Sequence, residues 1–125
     1  MKICVTASGE TLESQVDPRF GRCDYFLFIE TEDMACEALS NAQAQASGGA
    51  GIQSAQTVAS KDVSVVLTGN VGPNAFRALS AADIKVITGA SGTVRQAIEA
   101  YQNGLLAGTK APTVESHAGL KKGTQ

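Results

Sequence analysis

Between Asp62 and Thr93 one phrase occurs twice: an apolar run, then Thr-Gly-x-x-Gly, then the start of a helical pattern. The first copy is Val63–Leu67 followed by Thr68-Gly69-Asn70-Val71-Gly72, and the second is Ile84–Ile87 followed by Thr88-Gly89-Ala90-Ser91-Gly92. Short, nearly unbroken apolar runs of this kind read as strands buried on both faces of a parallel sheet. Between them Pro73 stands where a helix begins, and Ala75, Phe76, Ala78, Leu79 and Ala82 follow at helical spacing. A strand, a helix and a parallel strand make a right-handed crossover. Both glycine-rich loops therefore lie at strand carboxyl ends and open into helix amino-termini, where unpaired N–H groups and the positive dipole end favour an anion.

The rest of the chain fits around this unit. Lys2–Ala7 reads as a first strand with Ile3 and Val5 on one face and Cys4 on the other. Asp24–Thr31 reads as a second, in which Tyr25, Leu27 and Ile29 alternate with Phe26, Phe28 and Glu30. Met34–Leu39 is a weaker third strand, and the short turn at Glu32-Asp33 makes the pair antiparallel. Asn41 to Gly51 is small, polar and glycine-rich, with Gly48, Gly49 and Gly51 just before a helical pattern of Ile52, Ala55, Gln56, Val58 and Ala59 that ends near Lys61. No Gly-Lys-Ser/Thr follows and Gly-x-Gly-x-x-Gly fails, so it is neither a Walker loop nor a dinucleotide fingerprint. After the second Thr-Gly-x-x-Gly, Val94, Ala97, Ile98 and Tyr101 mark a last helix over residues 93–103, closed by Gly104. Periodicity ends at Gly108, which divides the chain into a folded part, 1–107, and a flexible tail, 108–125, holding the sole histidine, His117.

The loop from Ser8 to Arg22 is long for a connection between strands, and it contains Asp17-Pro18-Arg19-Phe20-Gly21-Arg22-Cys23. On one reading this is a lip that offers two guanidinium charges and a sulfur to an anionic ligand. On the other, the commoner in loops, Phe20 is a packing anchor and the arginines are solvated.

Composition narrows the function. A formal net charge of −2 gives no basic excess for nucleic acid, and with 5% aromatics and no Trp there is no base-stacking platform. No apolar run has the length of a signal peptide or a membrane span, so a cytoplasmic location is expected. Cys4, Cys23 and Cys36 are odd in number and widely spaced, which fits reduced thiols and no zinc framework. Catalytic machinery is missing too. No carboxylate pair stands at the strand ends and no Ser-His-Asp or Cys-His set is present, so the chain reads as a binding protein rather than an enzyme.

With the first strand beside Val63–Leu67, four loops converge on one edge of the sheet. They bring three glycine-rich helix starts, the hydroxyls of Thr68, Thr88, Ser91 and Thr93, and Arg19 and Arg22 as mobile counter-charge. Such a surface suits a compact polyvalent anion. A phosphate or small nucleotide, or a protein partner docking on Phe20, are the other occupants it allows.

Asp17-Pro-Arg-Phe-Gly-Arg, then Tyr25-Phe26, Gly49-Ala-Gly51-Ile, Val-Val-Leu-Thr-Gly-Asn-Val-Gly and Val-Ile-Thr-Gly-Ala-Ser-Gly-Thr resemble, in order and spacing, the nitrogenase iron-molybdenum cofactor biosynthesis family, with its NifX- and NifY-type domains. The resemblance runs from Lys2 to Leu106. It implies a ribonuclease H-like α/β/α fold: a five-stranded mixed sheet in the order 3-2-1-4-5 with three helices. It also implies non-covalent carriage of an anionic metal-sulfur cluster, of molybdenum-copper sulfide or iron-molybdenum-sulfur type, with cluster-assembly proteins or ATPases as the expected partners. The residues expected to line the cluster are Arg19, Phe20, Gly21, Arg22, Cys23, Gly48, Gly49, Gly51, Gly69, Asn70, Gly72, Gly89, Ser91, Gly92 and Thr93, with Cys23 as the one candidate metal ligand. Some carriers in the family use a histidine, but His117 matches none of these phrases.

Overall fold

Alternation in the first two strands decides the layering. A computed structural model describes residues 1–41, 50–109 and 112–113. Strand β1 (Lys2–Ala7) pairs antiparallel with β2 (Tyr25–Glu30), which pairs antiparallel with β3 (Ala35–Ser40). Helix α1 (Ala50–Ala59) leads to β4 (Val65–Leu67), α2 (Pro73–Ala81), β5 (Lys85–Ile87) and α3 (Val94–Gln102). The sheet order is β3-β2-β1-β4-β5, with β4 parallel to both β1 and β5.

Successive side chains of a strand point to opposite faces. Cys4, Phe26, Phe28, Val66 and Val86 therefore face one way and pack with Ala55 and Val58 of α1 and Ala75 and Leu79 of α2. Ile3, Val5, Leu27, Ile29, Val65, Leu67 and Ile87 face the other way, against Val94, Ala97 and Ile98 of α3. Two helices cover one face and one covers the other, the three layers that the resemblance implies. Among the described residues no helix is long and apolar enough to cross a membrane.

The element boundaries differ from expectation by a residue or two, for local reasons. Met34 has φ +59° and so belongs to the turn, where its amide donates to the carbonyl of Glu30 at 2.7 Å; β3 starts one residue later. Asp62 also has φ +59°, and pairing of the next segment begins at Ser64, whose amide donates to Lys2 O at 3.0 Å. Val63 stays buried in the core without joining the ladder.

Chain contacts also run beyond the boundary expected at residue 107. Gly108 forms an antiparallel bridge with Ile87, and the Thr109 amide donates to Val86 O at 2.7 Å. Thr113 hydrogen-bonds the backbone of Val71. Gly48, Gly49 and His117 lie outside the described residues.

Candidate functional site

The two Thr-Gly-x-x-Gly loops have different fates. At α3, Thr93 is the N-cap: its hydroxyl accepts from Gln96 N at 3.1 Å while the Gln96 side chain accepts from Thr93 N at 2.9 Å, a reciprocal capping box. The long loop after β1 takes what is left. The amides of Val94 and Arg95 donate to Ser14 O and Leu12 O, both at 2.9 Å, and Val16 N donates to Gly92 O at 2.8 Å. Arg95 Nε adds a bond to Glu13 Oε2 at 2.8 Å. Every first-turn amide of α3 is thus committed inside the protein, and this helix start offers no donors to a ligand.

Threonines that read as ligand-facing hydroxyls are committed as well. Thr6 Oγ1 lies 2.7 Å from Asp17 O and 2.8 Å from Thr68 Oγ1. One hydroxyl carries one proton, so Thr6 donates to the carbonyl and accepts from Thr68, and both hydroxyls are buried. Thr88 bonds Thr109 through its amide (3.1 Å) and its hydroxyl (2.6 Å). Of the four, only Ser91 is exposed with no such bond among the described residues.

The second half of the long loop is stitched to β4's loop instead. Asn70 N donates to Pro18 O at 2.7 Å and Phe20 N to Asn70 O at 3.2 Å, a parallel bridge that seats Arg19 beside Asn70. Gly69 is required here: a Cβ at that position would stand 2.6 Å from Pro18 Cα. Asp17, buried, receives Arg19 N (3.0 Å) and Nε (3.2 Å) on Oδ1 and Nη2 (3.2 Å) on Oδ2. The hydrogen bonds and charge of Asp17 raise the Arg19 pKa further above its ordinary value. Arg19 is therefore a held charge, not a mobile one, with its side chain 62% exposed. Arg22 is exposed one turn on.

Phe20 and Cys23 do not line this surface. Phe20 stacks at a tilt on Phe26, with ring centroids 5.7 Å apart, and both residues belong to the core under α1 and α2. Cys23 is fully buried, and burial first, then the charge of Asp17, push its thiol up to about 12. Without a metal beside it the thiol stays protonated at neutral pH. Gly21, with φ +93°, makes the turn that sends the chain inwards, and Asn41 Nδ2 donates to the carbonyls of Gly21 (3.2 Å) and Cys23 (3.0 Å).

What remains open is the start of α2. Gly72 is its N-cap, with no side-chain cap hydrogen bond, and Pro73 follows without an N–H. The amides of Gly72, Asn74 and Ala75 have no acceptor among the described residues. The beginning of α1 lies alongside, where a Cβ on Gly51 would meet Ala75 Cβ at 3.3 Å. Three backbone donors, a positive dipole end and a positioned guanidinium thus share one corner of the sheet's carboxyl edge. Among the described residues no group of three His, Cys, Asp or Glu side chains stands close enough to hold a metal ion. The chemistry that the described residues of this corner offer is hydrogen bonding to an anion. Asp17 was legible only as the opening of the Asp17-Pro-Arg-Phe-Gly-Arg phrase and not as the group that holds Arg19, and Thr113 falls in no motif or periodic pattern.

Sheet order and the three layers define an α/β/α protein of ribonuclease H-like fold, with an anion-type corner at the strand ends. Residues 1–104 match the dinitrogenase iron-molybdenum cofactor family, and the chain belongs to it. It is similar to the apo form of the orange protein from Desulfovibrio gigas, with 45% identity, 90% of this chain and 95% of that one covered, and a TM-score of 0.87. A candidate NifB protein from Thermotoga, solved by NMR, shares 37% identity over 86% of this chain and 91% of its own, with a TM-score of 0.75. An uncharacterised protein of Methanocaldococcus jannaschii is 26% identical over 96 residues, which are 74% of this chain and 81% of that protein.

Proposed function

We propose that this protein binds and carries, without transforming it, an anionic metal-sulfur cluster of molybdenum-copper sulfide or iron-molybdenum-sulfur type, held non-covalently at the start of α2. The observation that carries the reading is the uncapped first turn of α2 in a member of this family. The N–H groups of Gly72, Asn74 and Ala75 would donate to cluster sulfides, and Arg19 and Arg22 would balance charge. Hydrogen bonds to sulfur and partial positive charge are what a protein supplies to such a cluster when it supplies no thiolates. The cluster is cargo here, and the chain's own contribution is binding, orientation and charge. Cluster-assembly proteins or ATPases are the partners that this role calls for.

The test is anaerobic titration with tetrathiomolybdate, with and without copper, followed by visible absorption and backbone amide shifts. Charge-transfer bands with shifts at Arg19–Arg22, Gly51 and Gly69–Ala75, and little change at Thr93–Gln96, are the expected result. The double variant Arg19→Ala, Arg22→Ala should bind more weakly and with a shallower salt dependence. No bands and no shifts would overturn the reading. Saturation by phosphate or a nucleotide in a parallel titration would replace it with the second one the turn allows, because helix starts bind phosphate by the same donors.

A further inference from the structure

Thr113 stands where a fourth donor of the α2 corner would otherwise be open. The Val71 amide, one residue before the N-cap, donates to Thr113 Oγ1 at 2.8 Å, and the Thr113 amide donates back to Val71 O at 2.9 Å. Four residues earlier, Thr109 is fixed to the neighbouring loop. Its amide donates to Val86 O at 2.7 Å, its hydroxyl accepts from Thr88 N at 3.1 Å, and the two hydroxyls lie 2.6 Å apart. Two threonines thus pin the chain after β5's bridge partner Gly108 at both glycine-rich loops. The attachment at Thr113 is made by polar groups, with Thr113 itself exposed and Val71 in the core. Hydrogen bonds in water are individually weak on balance, and a contact made only of them opens easily.

We infer that Thr113 is an internal cap on the α2 corner, which anionic cargo displaces as it binds. Resting on the carrier reading above, this adds a competition to it. While Thr113 is docked, the Val71 N–H is spent on a neutral hydroxyl beside the three open amides. An anion at the turn gains that fourth donor only when Thr113 leaves. Measured affinity is then the intrinsic affinity reduced by the fraction of molecules with the cap released.

Full-length wild type, Thr113→Val, Thr113→Pro and Thr113→Ser are titrated with tetrathiomolybdate under the same anaerobic conditions, and amide exchange at Val71 and Thr113 is followed in free and loaded protein. Valine removes the hydroxyl, and proline also removes the N–H that donates to Val71 O. The expected result is affinity about 3–10-fold tighter for Thr113→Val, the equivalent of one net hydrogen bond. Thr113→Pro should be at least as tight and Thr113→Ser near wild type, and the Thr113 amide should lose protection on loading. Equal or weaker binding by the valine and proline variants would overturn the cap while leaving the carrier reading intact. If no protein in the set binds, the carrier reading falls and the cap falls with it.

Discussion

The thiol of Cys23 follows two arginines in sequence and lies inside the core in space. Next to Arg22 it reads as an activated sulfur; packed with Phe20 and Phe26 and held under Asn41, it is an inert one. The sequence could not separate these readings, because the turn at Gly21 that sends the side chain inwards is a backbone property and guanidinium neighbours in the chain need not be neighbours in space. At neutral pH an alkylating reagent should modify Cys36, the exposed thiol, well before Cys4 and Cys23, which should react only on unfolding. Mass spectrometry of partly alkylated protein checks the order. The pH dependence follows from the same burial. The folded thiol titrates near 12 against an ordinary 9.0, so the unfolded chain gives up its proton first as pH rises. The contribution of Cys23 to stability is whole well below pH 9 and is expected to fall by on the order of 4 kcal/mol between pH 9 and 12. Denaturant melts of Cys23→Ala should show a shallower alkaline loss than wild type.

At the scale of elements, α2 and α3 begin with the same phrase and end in opposite roles. Strand, glycine loop and helix were legible at both, because apolar runs and helical spacing are local signals. Which start would be left open was not. That depends on Leu12 and Ser14, carbonyls from a loop some eighty residues earlier, and on Thr93 and Gln96, whose capping box is readable only once the helix start is fixed at Val94. The closed start makes a clear prediction. Thr93→Ala should cost about 1 kcal/mol of stability, the ordinary worth of an N-cap, and leave tetrathiomolybdate affinity at the wild-type value. Urea melts and the titration described above measure the two effects separately. A large loss of affinity with unchanged stability would return the α3 loop to the binding surface.

Across the whole molecule, the buried faces of the strands were legible from alternation in β1 and β2 and unbroken apolar runs in β4 and β5, whereas the sheet order was legible only through the family resemblance. The attachment of Thr109 and Thr113 was not legible, since isolated threonines in a stretch without regular apolar spacing carry no period. The same sheet order has a consequence for how the chain is made. Strands β1, β2 and β3 are consecutive and pair with their neighbours, so the meander can form as soon as it leaves the ribosome. Its Phe26 and Phe28 face waits for α1 and then α2, the second of which ends about forty residues later, a delay of roughly 2–8 s at ~5–20 residues per second. Chains halted near residue 60 would display that aromatic face, and are expected to appear in the insoluble fraction or as protease fragments, while chains released after Gly104 stay in solution. Fractionating a set of nascent-chain lengths would show where the transition falls, and a soluble product at every length would mean that the meander does not form ahead of its helices.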